Sequence, residues 1–282
     1  MTTIARAEGR TEAEDLTLTL AAAGVQSWAV ERFGAWEVEV SEEDGPRARE
    51  ILREPIDTQT EPPPPPAGGR WPRAGIAFAA ALIAAHGWAV WHGHEAVVRQ
   101  AGVSGHRLAQ GEVYRSITAL FVHANIQHLL GNTAAMAVFG SGVAAAAGPG
   151  MSALLLVAAG ALGNGLSGMV GTSYRLSIGA STAVFAGVGI LAARQYVERL
   201  RVPTRRLGAW IPLGAALALL SLLGTDPRSD LKAHFFGLLA GLAVGGAHAR
   251  LAPVAAGRVA QILAGGLAVG LAGAAWWAAF DH

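Results

Sequence analysis

The chain has 282 residues, 52% of them hydrophobic and only 15% charged, the composition of a membrane protein rather than of a water-soluble domain. It has no cysteine, which excludes disulfides, thiol catalysis and Cys-ligated metals. The net charge of +1 hides a split: residues 1–66 hold 14 acids and 6 bases, a net of −8, and the remainder holds 6 acids and 15 bases, a net of +9.

The acidic part reads as a small module facing water. Residues 9–23 suggest a helix with Ala13, Leu16, Leu20 and Ala23 along one face. Trp28 and Val30, then Trp36, Val38 and Val40, alternate with polar or small residues, as in two short strands turning near Gly34. Ser41 and Asp44 have the spacing of a capping box and predict a second helix through Ala48, Ile51 and Leu52. This α-β-β-α module carries no catalytic constellation and reads as a regulatory or interaction unit over residues 1–60. The first 25 residues are polar and acidic, unlike a signal peptide, so the first apolar span is expected to serve as the targeting signal.

Pro62 to Pro66 is an unbroken proline run, a stiff spacer within a linker over 61–72. Seven apolar spans follow, at about 74–92, 120–147, 151–171, 177–197, 207–224, 231–249 and 257–280, each near the ~20 residues that cross a bilayer. A polar loop separates the first two. The densest basic cluster, Arg194, Arg199, Arg201, Arg205 and Arg206, follows span four and places that loop in the cytoplasm. Alternation then puts the N-terminal module inside and the long first loop outside.

Helical rise gives the depth of the polar residues within the spans. Ser181 lies about 20 Å from the level of Arg194, His234 about 24 Å from Arg250, and Asn132 about 24 Å from Gly148. In a core about 30 Å thick, all three fall near one level, below the outer surface. Polar groups there need partners or water, so a cavity opening outward is expected. His128 and Asn132, four residues apart, share a helix face. Gly237, Gly241 and Gly245 repeat every four residues, as do Gly179, Ala183 and Gly187. Such small-residue faces let spans four and six pack closely, bringing His234 toward Ser181, with Phe185 one turn below the serine.

These residue types suit acyl transfer. A serine hydroxyl needs a base, and histidine is the usual one. The oxyanion needs donors, which Asn132, His128 and the Ser181 amide at a helix start can supply. No carboxylate stands near this level in a span, so a Ser–His dyad is expected.

The same stretches resemble the rhomboid intramembrane serine proteases. Glu112-Val113-Tyr114-Arg115 stands where rhomboids carry a Trp-Arg pair. His128-Leu129-Leu130-Gly131-Asn132 is similar to their second helix, Gly179-Ala180-Ser181-Thr182-Ala183 to their nucleophile segment, and Ala233-His234-Phe235-Phe236-Gly237 to their Ala-His-x-x-Gly segment. The resemblance implies an all-α polytopic fold: a six-helix core over 73–250 with an extra C-terminal helix over 251–282, beside the α/β module. It implies Ser181 as nucleophile, His234 as base, and His128 and Asn132 as oxyanion donors. Gly179, Phe185, Tyr114 and Arg115 would bind substrate or support the site. The expected reaction is hydrolysis in or beside transmembrane segments of protein substrates, in a bacterial plasma membrane and without a cofactor. Two departures stand out: Tyr114 replaces tryptophan, and the β-branched Thr182 replaces the glycine after the nucleophile.

Two other readings stay open. A rhomboid-like protein that binds membrane clients without catalysis would need neither Ser181 nor His234. A small-solute transporter would explain polar residues in broken helices, yet the halves show no inverted repeat. His123 reads as a structural hydrogen bonder near the loop, and Asn164 and Ser167 as interhelical contacts. No His-Glu-x-x-His motif marks a metalloprotease. The basic loop suits anionic lipid rather than nucleic acid.

Overall fold

A computed structural model describes residues 1–32, 34–53, 71–170, 174–200, 230–251 and 257–281. The chain divides into two compact units, Met1–Gly68 and Gly69–His282. The proline run, span five and most of the basic cluster after span four lie outside the described residues.

The first unit has the order β1 (Thr2–Ala7), α1 (Arg10–Ala22), β2 (Ser27–Arg32), β3 (Ala35–Val40) and α2 (Gly45–Arg53). The strands form one antiparallel sheet in the order β1-β3-β2. β1 is an addition to the sequence reading. Its residues do not alternate cleanly, and its register with β3 shifts between Thr3 and Ala5, so no period-two signal announces it. Ala13, Leu20, Val25, Val38, Val40 and Ala48 form the core. Before α2 the Ser41 hydroxyl accepts the Asp44 N–H at 3.1 Å and donates to the Asp44 carboxylate at 2.8 Å. This is the local contact the capping-box spacing predicts.

The second unit is helical. α3 (Trp71–Trp91) leads into the long loop, which folds into α4 (His94–Ala101), α5 (Gly105–Ala109), α6 (Arg115–Thr118) and a 3-10 turn over Ala119–Phe121. Then come α7 (Ile126–Ala147), α8 (Pro149–Met169), α9 (Ser181–Leu200), α10 (Leu231–Leu251) and α11 (Arg258–Phe280). Among the described residues α3, α7, α8 and α11 are each long and apolar enough to cross a membrane. The expected span over 120–147 is shorter, because Asn125 caps a fresh helix by accepting the His128 N–H at 2.9 Å.

α9 and α10 run parallel and touch backbone to backbone. A methyl on Gly237 would collide with the carbonyl of Thr182, one on Gly241 with that of Ala186, and one on Gly245 would come within 2.5 Å of the Ile190 Cα. The glycine face of α10 is therefore used as expected. The face assigned to α9 is not. Ala183 meets Gly160 and Gly187 meets Leu156, both on α8, while Thr182, Ala186, Gly189 and Ile190 meet α10. At 3.6 residues per turn the two stripes lie side by side, and spacing alone does not say which helix each one meets.

α11 is fastened to the start of α8 by Gln261. Its Oε1 accepts the N–H groups of Gly150 at 2.8 Å and Met151 at 2.9 Å, and its Nε2 donates to the Ala147 carbonyl at 2.7 Å.

Candidate active site

Ser181 opens α9, and the segment before it is pinned from three directions. Ser177 donates its N–H to Val103 O at 2.7 Å, and Val103 returns one to Ser177 O at 3.1 Å. Gly179 N–H donates to Ala119 O at 2.8 Å. Ala180 N–H donates to Nε2 of the fully buried His123 at 3.3 Å. The long loop, the 3-10 turn and the approach to α7 thus fix one short strand, and so fix where the serine emerges.

Gly179 is required on two counts. Its φ is +120°, a conformation that side-chain-bearing residues rarely adopt. A Cβ there would stand 2.6 Å from Cε1 and 2.7 Å from Nε2 of His128. The His128 ring therefore lies against the strand two residues before Ser181. The Ala124 N–H approaches His128 Nδ1 at 3.5 Å. A ring nitrogen that accepts carries no proton, so this contact favours the tautomer with the proton on Nε2, the edge beside Gly179.

His234 reaches the same place from α10. It is buried, and its ring stacks on Phe185 with centroids 4.6 Å apart and planes 27° from parallel. Phe185 is one helical turn beyond Ser181. Asp230 caps α10, its carboxylate accepting the Ala233 N–H at 3.1 Å. Thr182 fits without a glycine's freedom because its methyl faces two glycines: a Cβ at Gly163 would come within 2.9 Å of it and one at Gly237 within 3.1 Å.

Gly179, His128, Ser181, Phe185 and His234 therefore gather around the first turn of α9. Asn132 is buried one turn along α7, and its Nδ2 donates one hydrogen to the His128 carbonyl at 2.8 Å, leaving the second. The first intrahelical bond of α9 is Val184 N–H to Ala180 O at 2.9 Å. The amides before it belong to the orphan set of a helix start, where the helix dipole favours negative charge. A cavity of about 290 Å³ opens alongside, lined by Ser104, Asn164, Ser167, Ser177, Asp230 and Lys232 among others.

Tyr114 and Arg115 organise the loop instead of entering this cluster. The buried Arg115 guanidinium donates to the carbonyls of Arg99 at 2.9 Å and Gly102 at 3.0 Å, to that of Gln100, and to the Glu112 carboxylate. The Tyr114 hydroxyl donates to Glu112 at 3.1 Å, and Arg107 adds an ion pair at 3.1 Å. Burial raises the Glu112 pKa, but Arg115, Arg107 and Tyr114 outweigh that and hold it below the usual carboxylate value. Asn164 of α8 donates to Ser116 O at 2.9 Å, tying the same loop to the helix core. Among the described residues no His, Asp and Glu group is arranged to hold a metal.

His123 is the structural hydrogen bonder that its place near the loop suggested, and the group it holds is the backbone just before Ser181.

A rhomboid domain model matches residues 110–250. The chain is 30% identical over 155 residues to a candidate rhomboid protease of Bacillus subtilis (strain 168), YdcA, an alignment covering 52% of this chain and 74% of that protein. It is 29% identical over 151 residues to RHOMBOID-like protein 5 of Arabidopsis thaliana, covering 52% of this chain and 48% of that protein. The matched segment runs from the loop held by Arg115 through α10, and the chain, a multi-pass membrane protein, belongs to the rhomboid family.

Proposed function

We propose that this protein is an intramembrane serine endopeptidase acting through Ser181 and His234. The observation that carries the reading is the stacking of His234 on Phe185, one turn from Ser181, in a helix pair locked by glycines. Ser181 Oγ attacks the substrate carbonyl carbon while the His234 imidazole takes its proton. His128 Nε2–H, the free Asn132 N–H and the Ser181 amide hold the oxyanion. Collapse breaks the C–N bond, and His234 returns the proton to the leaving amine. Water then attacks the ester and gives its proton to His234; collapse breaks the C–Oγ bond, His234 returns that proton to Ser181 Oγ, and the acid leaves. Gly179 and Phe185 position these groups, and Tyr114 and Arg115 hold the loop that supports them.

The substrates in this reading are membrane proteins cut in or beside a transmembrane segment. The module over 1–60 and the linker over 61–72 lie in the cytoplasm, the core over 73–250 is catalytic, and the helix over 251–282 is an addition to it. The membrane is the bacterial plasma membrane, and the site opens to the external face. An activity-based fluorophosphonate should label the wild-type chain and neither Ser181→Ala nor His234→Ala, with both variants folded. Labelling of Ser181→Ala at the wild-type level, or none of the folded wild type, would leave a client-binding protein without catalysis. For orientation, an impermeant thiol reagent on intact cells should modify Ser229→Cys and spare Pro203→Cys.

A further inference from the structure

The membrane unit holds a second cavity, of about 420 Å³, with walls from α3, α7, α8 and α11 and the start of α9. Leu82, Leu156, Ala180 and Ala183 are buried and form its floor. Val269, which also lines it, is 73% exposed and Gly273 is exposed, so its mouth is on the outer face of α11. Ile262, two turns before Val269 on the same face of α11, and Ile83 of α3 are also turned outward. In a spanning helix such a surface meets lipid tails. The cavity is continuous with it.

Three occupants can be weighed. Water needs two to four polar partners, and the lining is Phe, Ala, Leu, Met, Val, Gly and one Trp. A void of this size would forfeit dispersion contacts along every wall. A transmembrane helix is about 10–12 Å across with its side chains and would force the four walls apart. A hydrocarbon chain fits the chemistry and the shape, for the lining along α11 runs from Ala268 to Trp276, about 12 Å of helix rise. We propose that this cavity is a site for one acyl chain of a bilayer phospholipid. The chain packs against Ala180 and Ala183, on either side of Ser181, so the lipid becomes part of the wall that supports the start of α9.

The test uses the full-length protein in phosphatidylcholine vesicles containing a phosphatidylcholine with a diazirine near the end of one acyl chain. After illumination, adducts are mapped by mass spectrometry. Leu156, on the cavity floor, is expected to be labelled several-fold more than Ile262, an exposed residue of α11 outside the cavity. Ala272→Trp and, from the opposite wall, Ala81→Phe should each bring Leu156 labelling down to or below that of Ile262 without lowering the melting temperature. Equal labelling of Leu156 and Ile262 in the wild type overturns the proposal, because it describes annular lipid only. So does unchanged labelling in the folded plugged variants, or displacement of the lipid adduct by a transmembrane peptide. If neither variant folds, the wild-type ratio decides alone.

Discussion

The two units of this chain are built from similar small residues and held by different forces. In the N-terminal unit Ala13 and Ala48 fill space beside Leu20, Val38 and Val40, and the drive is removal of apolar surface from water. The membrane unit has no such drive between helices, since lipid tails are as apolar as leucine. There, glycines let α10 lie on the backbone of α9, and buried donors such as Arg115 and Asn164 close onto carbonyls. A glycine is therefore a contact in one unit, where a leucine is a contact in the other.

Substitutions of opposite kind can break that contrast. The largest effect is expected for Gly241→Leu, whose side chain would enter the Ala186 backbone. The loss should exceed about 4 kcal/mol, outside the ordinary range for a point change. It should appear as a collapsed melting temperature in detergent together with lost fluorophosphonate labelling. Leu20→Ala, in the other unit, should cost about 2–5 kcal/mol. Faster hydrogen exchange in peptides from residues 1–53 would report it, with labelling of Ser181 kept.

The loop gives a pH-dependent case between these. Glu112 is held below the usual carboxylate value, so the folded state binds its proton less readily than the unfolded state. Its contribution is complete above the unfolded value and is lost as pH falls through the folded one. Melting temperature should therefore drop on acidification through the carboxylate range, and Glu112→Gln should flatten that drop while lowering stability at neutral pH. The smallest effect belongs to Arg6→Gln. Its 3.0 Å ion pair with Glu37 joins an exposed guanidinium to a half-buried carboxylate, and a pair with one end in solvent contributes about 0–1 kcal/mol, less in salt. A shift well beyond that in exchange of the strand peptides would mean the sheet face is not solvated.

Much of the fold was legible in the sequence because hydropathy over some twenty residues is a strong signal. The helices α3, α7, α8, α9, α10 and α11 fall where apolar spans were expected. β1 and the short helices α4, α5 and α6 were not legible. Each is held by partners distant in sequence, such as Val40 opposite Thr2 and the carbonyls around Arg115. Around the site, the approach of Phe185 to His234 followed from one-turn spacing. The direction of the Asn132 amide did not, because a side chain that can bond its own helix has a choice that spacing does not settle. The role of His123 as a structural hydrogen bonder was legible, but its partner was not, because the Ala180 N–H is 57 positions away.

The Gln261 clamp bears on the order in which the protein is made. The N–H groups of Gly150 and Met151 and the carbonyl of Ala147 stand at the junction of α7 and α8. Their partner is on α11, more than a hundred residues further along the chain. Until more than a hundred further residues are synthesised, that junction lacks its Gln261 partner. α11 is then a late keystone: its arrival seals a joint laid down early, and a chain stopped at residue 251 would carry that joint without the side chain that closes it.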